Sequence, residues 1–573
     1  MGMMLKSTVY WLITFLGFGW LGIGTTKAVA VPKIPLVDPA RIQQELQEQI
    51  PVEAPSTLEE YREVQPGREG LSLPEGAKGL IIKQIRVVGN TLFSKEIGEL
   101  VSQQLGVDGL PLAEVNQLIL AIENLYRSRG YGLVRVVIPE QTITGDELQV
   151  EVIEGYIEDI QIEGNMKRLG RLQGYATNIL QERPSRLSNL ERNLLLMNEL
   201  AGYQVIARLK QGVQRGGVIL VLNVTQKPAL GFFEVNNRGT EAVGPIRLQA
   251  GVSLNSLGGQ GEQIVIAGAT SLFDWEELKN IQLGFQIPLG NDGWVLSMSG
   301  NFSQTNPGGL LKPLELQGEA FNFKTGLRYA LIRSARTQVN VGVSFDLTNN
   351  SSLLKLVDPP LFLYLDRTRN LELVADVNHL HPYGRVSGGL VLSQGIGGLG
   401  ARERGTLNLP VSNVFGSATA LKVRGRMEQF WRLPQGFNFL MLGAFQISTD
   451  ALFVAEQFGI GGSTFGSAYR PSELVGDAGY ALRSELQKNF VYQVGQVPFI
   501  TQPYLFADYG KVFRLKSSQF VPAQANLSSA GVGFRQSIAN QTRFQLELAF
   551  PLVDINDIKA GNPNIYFSIQ SSF

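Results

Sequence analysis

Thr542–Leu552, TRFQLELAFPL, reads in steps of two: Phe544, Leu546, Leu548 and Phe550 share one face, and Arg543, Gln545 and Glu547 share the other. Successive side chains of a strand point to opposite faces, so the segment has one apolar and one charged side. A soluble sandwich would show the same alternation, and one strand decides nothing. The pattern recurs, however. Phe437–Ser448 sets Phe437, Phe439, Met441, Phe445 and Ile447 against Asn438, Gln446 and Ser448, while Leu371, Leu373, Ala375 and Val377 oppose Asn370, Glu372 and Asp376. Cutting 228–573 at its turn signals yields about sixteen such segments, an even number typical of bacterial outer-membrane barrels. Lipid outside and water inside accounts for the alternation, because Lys or Arg on the lipid face costs about 2–4 kcal/mol at mid-bilayer. The expected fold is mainly β, a transmembrane 16-stranded antiparallel β-barrel over 228–573.

Within that region Phe458–Tyr480, FGIGGSTFGSAYRPSELVGDAGY, is too long and too Gly-rich for a tight hairpin. It is expected to form a long pore loop over 449–479. Further on, PYLFADYGKV puts Tyr504, Phe506, Asp508 and Gly510 on one face and Leu505, Ala507 and Tyr509 on the other. Lipid would not tolerate Asp508, so the first set faces the lumen. On the preceding strand Arg483, Glu485 and Gln487 share the lumenal face.

Composition agrees with a barrel. The 573 residues hold 50 Lys+Arg and 50 Asp+Glu, so no basic surface argues for nucleic acid. Cysteine is absent, which removes thiol nucleophiles, disulfides and Cys-ligated metals. Charged residues are only 17%, Gly numbers 64 and mean hydropathy is +0.03, as alternating strands require. Lys6, the apolar run Val9–Ile23 and Ala28-Val29-Ala30 read as a signal peptide over 1–30. Residues 31–78, rich in Pro and Glu, read as a tether. Inside it Asp38-Pro39 starts a short helix, ARIQQELQEQI, that ends before Pro51.

Residues 80–226 contain an internal repeat. Ile85-Arg86-Val87-Val88-Gly89-Asn90 returns as Ile160-Gln161-Ile162-Glu163-Gly164-Asn165, and Gly130-Tyr131 returns as Gly202-Tyr203. Each copy reads strand, helix, helix, strand, strand. Leu112, Val115, Leu118, Ile119, Ile122, Leu125 and Tyr126 lie at helical spacing and should cover a sheet made by IIKQIRVVG, LVRVVIPEQ and LQVEVIEG. The two modules, 79–155 and 156–227, resemble the POTRA domains of outer-membrane translocators. The resemblance implies a periplasmic position and binding of an unfolded client, for which exposed strand edges offer β-augmentation.

Phe506-Ala507-Asp508-Tyr509-Gly510 matches the F-x-D-x-G barrel motif of two-partner secretion transporters, the exporters of haemolysins and filamentous adhesins. The whole mature chain resembles that family. In it the motif strand meets a pore loop whose tip carries V-R-G-Y or a variant. Here the corresponding residues are Gly461, Gly462, Gly466, Ser467, Tyr469 and Arg470, followed by Gly476, Asp477 and Gly479, with Ser467 where the family has arginine. The family arginine pairs with the strand aspartate, and a buried carboxylate needs such a partner. Arg470 at the same tip is the first expected substitute and Arg483 on the neighbouring strand the second, with no direct pair as the remaining alternative. The resemblance further implies that Pro39–Ile50 plugs the lumen at rest, that the modules bind a secreted passenger, and that passenger folding outside drives export.

Other chemistry finds little support. His379 and His381 form H-x-H without an evident third ligand and read as turn residues. The Gly-rich loop lacks G-K-[ST] and a following helix, so no nucleotide site is expected. No catalytic residue, metal or cofactor is expected. The expected partners are the passenger, outer-membrane lipid and, through the C-terminal strand ending in Phe573, the barrel-assembly machinery. A barrel-assembly insertase and a passive porin are the alternatives; an outer-membrane hydrolase lacks a placed His partner for its nucleophile.

Overall fold

Sixteen antiparallel strands close into a barrel, the first, Ala229–Asn236, pairing with the last, Asn564–Ser572. Ala478–Lys488 and Phe490–Val494 count as one strand interrupted at Asn489, since both pair with Val497–Phe513. The computed structural model describes residues 37–48, 80–142, 146–165, 168–516, 522–539 and 541–573. The signal peptide and most of the tether lie outside these residues. No described helix is long and apolar enough to cross a membrane.

The two-residue period sets the sidedness of the wall. Leu546 is exposed on the outside while Glu547 is 1% exposed, and Leu371 and Leu373 face out while Asn370 and Glu372 are buried. Leu361–His381 runs for 21 residues, about twice what a tilted strand needs to cross a bilayer, so it projects beyond the lipid. Short turns such as 334–336 lie at one end, and longer connections, 396–420 and 449–477, lie at the other.

Both soluble modules share one topology. In the first, Gln84–Val88 runs parallel to the central Glu147–Ile153, and Arg135–Val137 pairs antiparallel on its other side. In the second, Tyr156–Asn165, Gly217–Gln226 and Tyr203–Gln211 repeat that order and sense. Helices Ser94–Leu105 and Val115–Ser128 pack on the first sheet, and Gly170–Leu180 and Leu187–Asn198 on the second. Leu112, Val115, Leu118, Ile119, Ile122 and Tyr126 are buried as the helical spacing requires, with Leu125 half-buried. The leading Ile81–Ile82 leaves the sheet and pairs with Leu110–Pro111. Gly130, at φ +89°, ends its helix in the left-handed region that a side chain would oppose.

Glu154 ties the first module together. Its carboxylate accepts from the Thr91 and Leu92 amides at 2.8 and 3.0 Å, the Thr91 hydroxyl at 2.5 Å and the Tyr126 hydroxyl at 2.6 Å. Burial pushes its pKa up, but the Thr91 and Tyr126 hydrogen bonds outweigh that and hold it below the usual glutamate range. A carboxylate lowered in the folded state stabilises above its unfolded pKa and loses that contribution as pH falls through the folded one. Hydrogen exchange on the full chain should therefore show Thr91 and Leu92 losing protection below the ordinary glutamate range. Glu154→Gln should flatten that dependence and cost about 1–2 kcal/mol.

The second module docks on the short-turn end of the barrel. Arg171 donates to the Gly290 carbonyl at 3.0 Å, Arg192 to the Asp292 carbonyl at 2.8 Å, and Arg333 pairs with Glu199 at 2.5 Å. Inside the barrel lie one helix, α1 (Pro39–Glu48), and the long loop. Asp38 caps α1 as expected, its Oδ1 accepting from the amides of Ala40 and Arg41 at 3.1 Å each. The loop is 449–477, two residues shorter than expected. Gly479 belongs to the wall strand Ala478–Lys488, where a Cβ would come within 2.5 Å of the Phe458 ring.

Candidate functional site: a charged clasp between pore loop and barrel wall

Strand register places Arg483 directly opposite Asp508, and Asp508 opposite Ser529, so the three form a row across three lumenal strands. Arg483, only 2% exposed, meets three carboxylates: Glu485 at 2.8 Å, Glu547 at 3.0 Å and Asp508 at 3.3 Å. Its guanidinium lies over the Phe506 ring, 4.1 Å from the centroid. Arg238 reaches Glu547 at 2.7 Å, and Arg535 forks onto both oxygens of Glu485 at 2.8 and 3.0 Å. Tyr504 adds its hydroxyl to Glu547 at 2.8 Å. Three arginines thus balance three buried carboxylates, the condition for keeping such charges out of water.

The loop tip enters this network at Ser467. Its amide donates to Asp508 at 3.2 Å, its carbonyl accepts from Arg238 at 3.0 Å, and its hydroxyl accepts from Arg483. Where the resemblance led us to expect a loop arginine, a wall arginine reaches a loop serine. Arg470 does not pair with Asp508. It turns outward to Asp557, with one bond at 2.8 Å, and to Glu473 at 3.6 Å. The reason is its neighbour: Tyr469, 1% exposed, anchors its hydroxyl between the carbonyls of Val553 and Ser528 at 2.8 and 3.1 Å, which aims the next residue at the 552–563 connection.

The glycines provide close approach. Gly461, Gly462 and Gly466 take φ values of +110°, +101° and +82°, which L side chains oppose. A Cβ on Gly510 would come within 2.9 Å of Ile460 of the loop, and one on Gly476 within 2.6 Å of the Phe513 carbonyl. Asp477 holds the loop base, accepting from the Leu452 and Leu515 amides at 2.8 Å each. His379 and His381, expected in a turn, instead lie in the last residues of the strand Leu361–His381 and are engaged locally, with Thr337 at 2.8 Å and Gln429 at 2.9 Å. The sequence reading did not assign Arg238, Arg535, Ser529 or Glu547 to the site. Glu547 carried a signal, a lone acid at a lumenal phase, whereas Arg238 sits in a connection without periodicity.

α1 contacts the barrel through polar and apolar side chains. Asp38 Oδ2 accepts from Asn350 and from the Tyr364 hydroxyl, each at 2.7 Å, and Glu45 pairs with Arg247 at 3.0 Å. Ile42 and Leu46 pack on Val243, Ala269 and Leu278.

A closed barrel preceded by two POTRA-type modules, with a helix and an inserted loop in its lumen, is the architecture of an outer-membrane translocator. The family model described as "Haemolysin secretion/activation protein ShlB/FhaC/HecB" matches residues 216–536, and the ShlB-type POTRA model matches 80–155. The chain belongs to the haemolysin secretion/activation family, the outer-membrane transporters of two-partner secretion, with its POTRA modules in the periplasm. Among curated relatives, the heme/hemopexin transporter protein HuxB of Haemophilus influenzae is 22% identical over 88% of each chain. The outer membrane transporter CdiB of Dickeya dadantii is 25% identical over 74% of each. The solved structure of CdiB from Escherichia coli has the same fold, with a TM-score of 0.74 at 18% identity over 96% of this chain and 100% of that one. CdiB from Acinetobacter baumannii follows at 0.62 and 16%, over 93% and 96%.

Proposed function

We propose that this transporter is held shut by α1 and the pore loop together, and that the Arg483–Asp508–Ser467 clasp keeps the loop in its lumenal position. An unfolded passenger docks on the POTRA modules in the periplasm, displaces α1 and threads through the lumen. The observation that carries this reading is the joint occupation of the lumen by α1 and the loop, each bonded to the wall through polar groups. Polar contacts exchange readily for water, and the apolar part of the seat is limited to a few side chains, with Ile42 and Leu46 on Val243, Ala269 and Leu278, so a helix held this way can leave. Among the described residues, the edge strands Gln84–Val88 and Tyr203–Gln211 leave one ladder side open for an extended chain. The protein supplies a path and carries out no covalent step; passenger folding outside makes return unfavourable.

Surface proteomics of a strain lacking this chain tests the function. Loss of one large exported polypeptide, with the other outer-membrane barrels unchanged, is the expected outcome. A general fall in barrels would favour an insertase, and a change confined to small-solute uptake would favour a porin.

The C-terminal strand is the proposed contact for the barrel-assembly machinery. Phe573 exchanges both backbone hydrogen bonds with Gly231, at 2.8 and 2.9 Å, while the residue as a whole is 75% exposed. Phe573→Ser should lower the amount of barrel reaching the membrane yet shift the melting of assembled barrel little, because little of its area is buried. Quantifying heat-modifiable protein in membranes, with its unfolding temperature, checks both halves.

A further inference from the structure

The clasp at the loop tip does not account for how α1 is held, because Arg41 and Gln44 of α1 bond the loop near its base, ten or more residues before Ser467. There, Val454–Glu456 forms a single turn of 3-10 helix. On one side its carbonyls face the plug: Arg41 donates to the carbonyls of Val454 and Gln457 at 2.9 and 2.7 Å, and Gln44 to that of Ala455 at 3.0 Å. On the other side the Glu456 carboxylate faces the wall. It pairs with Lys422 and accepts from the Thr368 hydroxyl at 2.8 Å and from Asn370 at 3.2 Å. Lys422, Thr368 and Asn370 are all buried. Gln446 bridges the carbonyls of Glu456 and Asp477 at 3.1 Å each, and the Val454 amide donates to Ser412 at 3.0 Å.

We propose that Glu456 and Lys422 are positioning residues for the plug: their buried ion pair holds Val454–Gln457 against the wall as the seat on which Arg41 and Gln44 fasten α1. The inference rests on the plugged-transporter reading and deepens it. Geometry supports it in two ways. Glu456 lies between two carbonyls that bind one plug arginine, so any shift of the turn moves both acceptors together. Lys422 is buried and Glu456 is nearly so, so losing one partner leaves the other charge without its counter-ion and displaces the turn.

The chain has no native cysteine, which makes thiol labelling clean. Two single-cysteine reporters are placed in the full-length protein in membranes: Ile42→Cys on α1, 4% exposed at rest, and Ala468→Cys at the loop tip, 0% exposed. In the Lys422→Met background the α1 reporter should react with a bulky maleimide roughly tenfold faster than in the parent. The tip reporter should stay protected and Lys422→Arg should restore slow labelling. Glu456→Gln, which keeps the side-chain shape, should reproduce the effect if Lys422→Met assembles poorly.

An α1 reporter that stays protected in both variants, while the barrel remains heat-modifiable, would overturn the proposal. So would equal acceleration at both reporters, which would make the pair a general support of the loop. Deleting 37–48 separates this inference from the reading beneath it. If the deletion leaves channel conductance unchanged, the plug itself fails; if it opens the channel while Lys422→Met and Glu456→Gln leave α1 protected, only the seat fails.

Discussion

Arg483→Met is expected to reduce passenger export at least about tenfold, because it removes the cation shared by three buried carboxylates. Breaking one buried pair by deleting a partner typically costs about 3–5 kcal/mol, and here Asp508, Glu547 and Glu485 lose a partner together. Asp508 is the most affected. Its remaining donors are Ser529 at 2.5 Å and the Ser467 amide at 3.2 Å, and neither carries a positive charge. The loop tip should come loose while the barrel, whose ladder is untouched, stays assembled.

A positional swap gives the sharper form of this test. Ser467 and Arg483 already touch, so Ser467→Arg combined with Arg483→Ser returns the guanidinium to the same space from the loop side. Export should recover substantially in the double variant. A swap that rescues nothing would mean that the wall position of the arginine matters beyond its charge. Arg470→Ala is the control: its bond to Asp557, which is more than half exposed, contributes about 0–1 kcal/mol, and the buried Glu473, which it approaches only at 3.6 Å, keeps the Asn556 amide. An export assay that ranks Arg470→Ala with Arg483→Met would contradict the assignment.

Removing residues 31–78 should produce the second large effect, a rise in resting conductance in planar bilayers. A helix with its side chains is about 10–12 Å across, so withdrawing α1 should open a water path of that width and raise current roughly threefold or more. The intact protein should show small, flickering currents and the deletion larger, steadier ones. Asp38→Ala should move part of the way, since Asp38 both caps α1 and accepts from Asn350 and Tyr364. Identical large conductance in intact and deleted protein would favour the porin. No conductance in either would favour the insertase.

Much of this molecule was legible one residue at a time. The period of two assigned Leu546 outward and Glu547 inward, and the same rule put Arg483, Glu485 and Asp508 in the lumen. The helical spacing of Leu112 to Tyr126 identified the covered face of the first module, and Asp38-Pro39 identified the start of α1. These features are local, because strand pleat, helix pitch and cap chemistry act within a few residues of chain. They determine which element forms and which side of it is wet.

The partner of Asp508 was not local. Arg470 and Arg483 were both near enough along the chain, and only the register of Ala478–Lys488 against Val497–Phe513 set Arg483 opposite the aspartate. Arg470 was drawn away by the anchoring of Tyr469 on Ser528 and Val553, contacts 59 and 84 residues distant. Arg238 joined from a connection at the other end of the barrel sequence, brought in by ring closure between first and last strands. Sequence by itself determined the barrel, the modules, the short helix α1 and the lumenal phase of the charges. Tertiary structure alone decided which charges meet, because a buried ion pair depends on strand register and loop path, and neither follows from a short-range period.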